Sequence, residues 1–172
     1  MNPNLRDIVK EEIHKLLEAG FIYPISDSEW VSPLMIVTKK NGKWRVYVDY
    51  RELNKATQKD HFPSPFIDQV LDTLSGKKFF SFLDGFSGYN QIQIAPVDQD
   101  KTTFTCPWGT FAYRVLPFGL CNALAMFQRA IIGIFSELVN DSREIFMDDF
   151  TPYGRDFEDA LENLKKALIH CE

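Results

Sequence analysis

Hydrophobic positions recur at helical spacing near both ends of the chain and at strand spacing between them. Leu5, Ile8, Val9, Ile13, Leu16 and Leu17 share one face of a helix over 4–19, with Pro3 suited to its first turn and Gly20 to its C-terminal cap. Residues 34–38 read as a strand, Asn41-Gly42 as a tight turn and 43–49 as the returning strand. Alternation there sets Trp44, Val46 and Val48 on one face and Arg45, Tyr47 and Asp49 on the other. A proline-containing connection at 61–65 leads to a short helix over 66–75, and Phe79-Phe80-Ser81-Phe82-Leu83-Asp84 predicts a buried strand ending on an acid. Residues 102–106 and 110–115 form a hairpin around Pro107-Trp108-Gly109. Asn122 suits the N-cap of a helix reaching about Leu138, with Phe127, Ala130, Ile131, Ile134 and Leu138 in one stripe. A last hairpin turns at Asp148-Asp149, and Asp156 caps a final helix carrying Phe157, Ala160, Leu161, Leu164 and Leu168. Pro152 removes a ladder donor from the strand leaving that turn, which predicts an edge or unpaired position and a shortened hairpin. Helices combined with hairpin-joined strands give an α+β fold.

The 172 residues fit one domain, large enough for a real core; 45% apolar, 14% aromatic and 25% charged residues describe a globular chain rather than a disordered one. No stretch approaches transmembrane length, and the N-terminus lacks the apolar region of a signal peptide. Cys106, Cys121 and Cys171 are scattered and odd in number, which argues against a disulfide framework. These features predict an intracellular protein, cytoplasmic or nuclear, with no membrane partner. The net charge of −5 counts against a generic nucleic-acid binder, but it averages over an asymmetry. Residues 39–59 carry seven Lys/Arg against two acids, whereas 137–172 carry ten acids against four Lys/Arg. A basic region and an acidic one suit phosphates and metal ions respectively.

The candidate chemistry centres on Phe146-Met147-Asp148-Asp149-Phe150. Burying charge among large apolar side chains costs several kcal/mol unless the charge is paired or bound to metal. Two adjacent carboxylates in that setting point to a divalent cation, most simply Mg²⁺, which prefers oxygen ligands. An ordinary Asp-Asp turn is the competing reading. Asp84 supplies a third carboxylate, followed by Gly85, where backbone can approach a ligand closely. If its strand lies beside the 143–153 hairpin in one sheet, three acids converge. Such a cluster can hold two Mg²⁺ ions about 3.5–4 Å apart for in-line phosphoryl displacement. His14, His61 and His170 lack metal-ligand spacing, and no Ser-His-Asp set or phosphate-cradling Gly loop competes.

These residues stand in segments that resemble the reverse transcriptases of gypsy-type LTR retrotransposons. Phe82-Leu83-Asp84-Gly85-Phe86-Ser87-Gly88-Tyr89-Asn90-Gln91-Ile92 is similar to motif A of that family. Leu116-Pro117-Phe118-Gly119-Leu120-Cys121-Asn122-Ala123, continued by Phe127-Gln128, is similar to motif B, and 146–150 to the aromatic-x-Asp-Asp hairpin of motif C. Trp44-Arg45-Val46-Tyr47-Val48-Asp49-Tyr50-Arg51-Glu52-Leu53-Asn54 resembles the fingers motif, and all four stand in the family's order and spacing. The resemblance implies a right-hand polymerase, with fingers over about 1–59 and 92–122 and a palm over about 60–91 and 123–172, the palm built on an antiparallel sheet with packed helices. It implies RNA-directed DNA polymerisation with dNTPs, a primer and an RNA or DNA template, using two Mg²⁺ ions for which Mn²⁺ can substitute. Asp84 and Asp148 would bridge the metals, the Gly85 carbonyl would add a ligand, and Asp149 would help hold the primer-side ion. Arg45 and either Lys39 or Lys40 would grip the triphosphate. Tyr89 would sit beneath the sugar as a steric gate; Phe118 and Gln128 would line the nucleotide pocket and template side, with Met147 near the primer terminus.

The family usually has Pro where this chain has Leu124 and a small Thr-like residue where it has Met126. Family members continue past Glu172 into a primer grip and thumb, so the resemblance implies fingers and palm without a thumb, and weak primer binding by this chain alone. Further polyprotein domains (thumb, RNase H, integrase) or another subunit would complete the machine. A catalytically inactive retroelement remnant kept as an interaction domain is the alternative. A two-metal nuclease explains the carboxylates but neither the 44–54 segment nor the 116–128 segment.

Overall fold

The computed structural model describes residues 3–38, 42, 44–63, 67–85, 87–135, 143–146 and 149–169. The elements in chain order are α1 (Pro3–Glu18), β1 (Ile22–Pro24), β2 (Ser32–Thr38), β3 (Trp44–Val48), α2 (Arg51–Ala56) and α3 (Ile67–Leu74). Then follow β4 (Phe79–Phe80), β5 (Leu83–Asp84), a 3₁₀ turn (Gly88–Gln91), α4 (Pro96–Gln99), β6 (Phe104–Cys106), β7 (Gly109–Tyr113), α5 (Ala123–Ile134), β8 (Arg143–Phe146), β9 (Asp149–Gly154) and α6 (Phe157–Ile169). The chain forms two compact units, each discontinuous: Met1–Lys59 with Tyr89–Ala123, and Asp60–Gly88 with Leu124–Glu172.

The first unit holds a five-stranded sheet in the order β1-β7-β6-β2-β3, antiparallel except for the β2–β6 pair. Helix α1 closes over it because Val9 and Ile13 fall on one face and bury almost completely. The helix ends as its sequence predicts. Gly20 takes φ +71° and donates to the Leu17 carbonyl while Phe21 donates to Leu16, the paired bonds of a Schellman cap. Ile22, Val48, Tyr50, Leu53, Phe104 and Phe111 complete the core. In the β2–β3 hairpin Leu34, Ile36, Val46 and Val48 lie on the core side, but Trp44 is 44% exposed at the far end of its strand.

Two phenols, Tyr50 buried and Tyr113 half-buried, tie this core to pH. Tyr50 donates its hydroxyl to the Thr102 carbonyl at 2.8 Å, and burial pushes its pKa upward. Burial, with a smaller contribution from the Glu12 charge, pushes Tyr113 up to about 12. Unfolded phenols ionise near pH ~10, so above that pH the unfolded chain releases protons that the folded chain retains. Stability is therefore full below about pH 10 and falls as pH rises toward 12. The urea midpoint is expected to drop between pH 9 and pH 11, and to drop less in Tyr50→Phe. Equal midpoints at the two pH values would contradict this.

In the second unit β9 is central, with β8 on one side and β4 and β5 in line on the other, all antiparallel. This corrects the position expected for Pro152. It lies in the central strand, fully buried, opposite Arg143 of β8, and the hairpin is not shortened. The cost falls on the neighbour instead. Ser81 donates its N–H to the Pro152 carbonyl at 2.9 Å, but proline has no N–H to return, so the ladder breaks there and the predicted 79–84 strand is split into β4 and β5. That strand is also less buried than predicted. Phe79, Phe80 and Phe82 are 40%, 38% and 77% exposed, and among the described residues the segment pairs only with β9.

The apolar residues of α6 are buried only in part. Asp156 caps it as expected, accepting the Asp159 N–H at 3.0 Å. The residues it buries are Ala160, Asn163 and Ala167, while Phe157 and Leu168 are 60% and 50% exposed. The cause is the closeness of the helix to β9. A Cβ on Gly154 would stand 2.3 Å from the Ala160 nitrogen, and Asn163 donates to the Tyr153 carbonyl at 2.9 Å. Only small side chains, and an amide that serves the strand backbone, fit between them. Helix α5 is described to Ile134, with Phe127 buried and Ile134 58% exposed; Leu138 lies outside the described residues. Cys106 and Cys121 are free thiols, and Cys171 lies outside the described residues.

Candidate functional site

Asp84 and Asp149 are direct partners in the antiparallel β5–β9 pair. Residues opposite one another in such a pair share a sheet face, with Cα atoms about 4.5–5.5 Å apart. Asp84 is the last residue of β5, and Asp149 is the first of β9, where it also pairs with Phe146 of β8. Asp148 and Met147 lie outside the described residues, as do Lys39 and Lys40.

Beyond Asp84 the chain turns sharply. The Gly85 carbonyl accepts the Gly88 N–H at 3.2 Å, and Ser87 has φ +50°. Gly88 seats against α5: a Cβ there would lie 2.8 Å from the ring of Phe127, which is itself 97% buried and cannot swing away. On the same helix Gln128 is only 1% exposed, and its Oε1 has no hydrogen-bond partner among the described residues. Arg129 holds Asp60 at 2.8 Å and lies over the Phe62 ring at 4.9 Å, fastening α5 to the 60–62 segment. Leu124 is half-buried and Met126 is 37% exposed.

Within the first unit, Tyr89 lies in the 3₁₀ turn, half-buried, and meets the Phe118 ring edge-on with centroids 6.3 Å apart. Phe118 itself is 68% exposed. Arg45 is exposed opposite Val37, two pairs along from Tyr47 and Met35 and on their face, so the outer hairpin face carries a cation amid apolar and aromatic positions. Asp49 is engaged differently: Arg51 grips its carboxylate at 2.6 and 2.9 Å and holds its pKa below the usual range. Asn54 was within a recognisable segment but was not singled out from sequence. Its amide bonds Gly119 and Cys121, 65 and 67 positions away, and no local pattern signals contacts at that separation.

The model of the reverse transcriptase (RNA-dependent DNA polymerase) family matches residues 37–171. The chain belongs to the reverse transcriptase family. Among its relatives are the retrovirus-related Pol polyproteins from the Drosophila melanogaster transposons opus, 38% identical over 96% of this chain, and gypsy, 36% identical over 94%. The chain spans only 17% and 16% of the length of those two polyproteins. A crystal structure of the prototype foamy virus protease–reverse transcriptase, 26% identical, superposes with a TM-score of 0.87 over 99% of this chain and 22% of that one. The foamy viral protease–reverse transcriptase solved in complex with an RNA/DNA hybrid, 22% identical, shares the fold with a TM-score of 0.88 over 99% of this chain and 22% of that one. No helix among the described residues is long and apolar enough to cross a membrane.

Proposed function

We propose that this reverse transcriptase chain forms the fingers and palm of an RNA-directed DNA polymerase that adds dNTPs to a primer 3′-hydroxyl on an RNA or DNA template. The observation that carries the reading is the in-register pairing of Asp84 with Asp149 in a member of this family. Two acids at paired positions, each at a strand end, would supply hard oxygen donors of the kind Mg²⁺ or Mn²⁺ takes. Asp84, Asp148, Asp149 and the Gly85 carbonyl would hold two such ions. When bound, the ions supply charge neutralisation for phosphoryl transfer.

The remaining roles belong to side chains. Arg45, with Lys39 or Lys40, would hold the triphosphate by charge-assisted hydrogen bonds, and Arg45 has the exposure that task requires. Tyr89 would close the space beneath the sugar, its ring braced edge-on by Phe118. Gln128 and Met147 would line the template and primer sides. The relative solved with an RNA/DNA hybrid supports nucleic acid as the partner class.

Primer extension on poly(rA)/oligo(dT) with Mg²⁺ or Mn²⁺ tests the reading. It is run with the chain alone and with the chain grafted in place of its counterpart in the gypsy Pol polyprotein. Activity is expected in the graft and its loss in Asp148→Asn. Activity that survives Asp148→Asn overturns the metal assignment, and a silent graft favours the inactive remnant. In the same graft, Tyr89→Ala is expected to raise ribonucleotide incorporation by about tenfold or more, since a shaped pocket is the only barrier to one extra hydroxyl. Unchanged sugar discrimination would sink the gate assignment.

A further inference from the structure

We propose that Asn54 is a positioning residue: it fixes the arch that presents Phe118 and thereby sets the affinity for the incoming nucleotide, an inference that rests on the polymerase reading above. The side-chain amide of Asn54 spans the arch. Its Nδ2 donates to the Gly119 carbonyl at 2.8 Å and its Oδ1 accepts the Cys121 N–H at 2.8 Å. One side chain thus satisfies a backbone acceptor and a backbone donor on either side of Leu120, as a neighbouring strand would.

The anchor beneath this clamp is rigid. Asn54 donates its own N–H to the Tyr50 carbonyl at 2.8 Å, and the helix that carries it is held by Leu53 and Tyr50, both buried in the first unit's core. A second tie follows one turn later, where Asn122 donates to the Gln58 carbonyl at 2.9 Å. The arch needs such ties. Gly119 has φ +106°, a conformation that favours glycine and supplies no side chain to pack. Leu116, 2% exposed, roots the arch on one side, and Leu120 packs against the core on the other. Between them Phe118 stands 68% exposed, touching Tyr89 edge-on. A ring so little supported by packing takes its position from the backbone beneath it, and that backbone is set by Asn54.

Hydrogen exchange at the Cys121 amide and nucleotide kinetics test the proposal together. In the isolated chain, Asn54→Ala should lower the Cys121 protection factor by about tenfold while core amides of α1 keep theirs. Asn54→Asp keeps the shape and the acceptor but turns an oxygen, in place of the donor, toward the Gly119 carbonyl. Its Cys121 protection should be low near neutral pH and recover as the carboxyl protonates and regains a donor, a pH profile that general misfolding would not produce. In the gypsy Pol graft, Asn54→Ala should raise the KM for dNTP about tenfold with kcat within about twofold. Unchanged Cys121 protection in Asn54→Ala overturns the positioning role. A loosened arch with unchanged KM overturns the link to the nucleotide and leaves the polymerase reading standing. A graft that is silent before any substitution overturns that reading, and this inference with it.

Discussion

Asp149→Asn is expected to abolish metal-dependent primer extension in the gypsy Pol graft, lowering kcat by roughly 10³-fold, or about 4 kcal/mol of barrier. The same substitution should not weaken the metal-free fold. Asp149 stands directly opposite Asp84, and like charges at opposed positions repel, so without metal the variant should be equally stable or up to about 0.5 kcal/mol more stable. Divalent cation should reverse the order. An ion that binds only the folded chain adds about 2.7 kcal/mol at a hundred times its dissociation constant, a gain open to the unsubstituted chain and denied to the variant. Thermal unfolding with EDTA and then with Mn²⁺ reads both effects on the isolated chain, and Asp84→Asn should behave alike. A variant whose midpoint rises with Mn²⁺ as much as the parent's would falsify the assignment.

Gly154→Ala should be the most damaging single methyl in the second unit. The new Cβ would stand 2.3 Å from the Ala160 nitrogen, 2.6 Å from its Cα and 2.8 Å from its Cβ. The first two are helix backbone, so no rotamer change relieves them and α6 must move away from β9. That separation would stretch the Asn163 bond to the Tyr153 carbonyl and open the small-residue seam at Ala160 and Ala167. Overpacking of this kind costs typically 1–3 kcal/mol, and the backbone clash argues for about 3. For a chain of this size that is roughly 6–12 °C in midpoint. Ala160→Gly on top of Gly154→Ala should rescue little, because it removes only the most distant of the three contacts. A loss under about 0.5 kcal/mol, or full rescue by the double substitution, would show that the helix is not seated as described.

What could be read from the sequence divides by the range of the interactions concerned. Helix α1 was legible to its last turn, because Pro3, the apolar stripe and Gly20 are all local signals. The β2–β3 hairpin was legible because alternation and turn residues mark it, whereas the adjacency of the Asp84 strand to the 143–153 hairpin stood in the sequence only as a condition, which the β5–β9 pair meets. Two readings failed where a distant partner decides. Pro152 could not reveal that its missing donor would be absorbed by Ser81, nor the phenylalanines at 79–82 that their strand would pair, among the described residues, only with β9. On α6, size outweighed hydrophobicity: the tight seam at Gly154 selects Ala160, Asn163 and Ala167 and turns Phe157 and Leu168 outward. Of the candidate site, the acids were visible as residue types in an apolar setting. The clamp at Asn54 was not, since an asparagine early in a helix looks the same whatever its amide holds.

The chain passes between its two units three times, and this sets a timetable for synthesis. Phe79 and Phe80 leave the ribosome well before Tyr153 and Gly154, the β9 residues they pair with. At 5–20 residues per second the interval is roughly 4–15 s, long compared with the microseconds in which a hairpin closes. During it a run of four phenylalanines within 79–86 has no native strand to join. The first unit, by contrast, has every residue it needs once Ala123 has emerged. Nascent chains halted once Ala123 has emerged but before position 149 has should therefore carry a folded first unit and an unpaired phenylalanine-rich segment. That is the stage at which a chaperone recognising exposed aromatic segments would engage this protein.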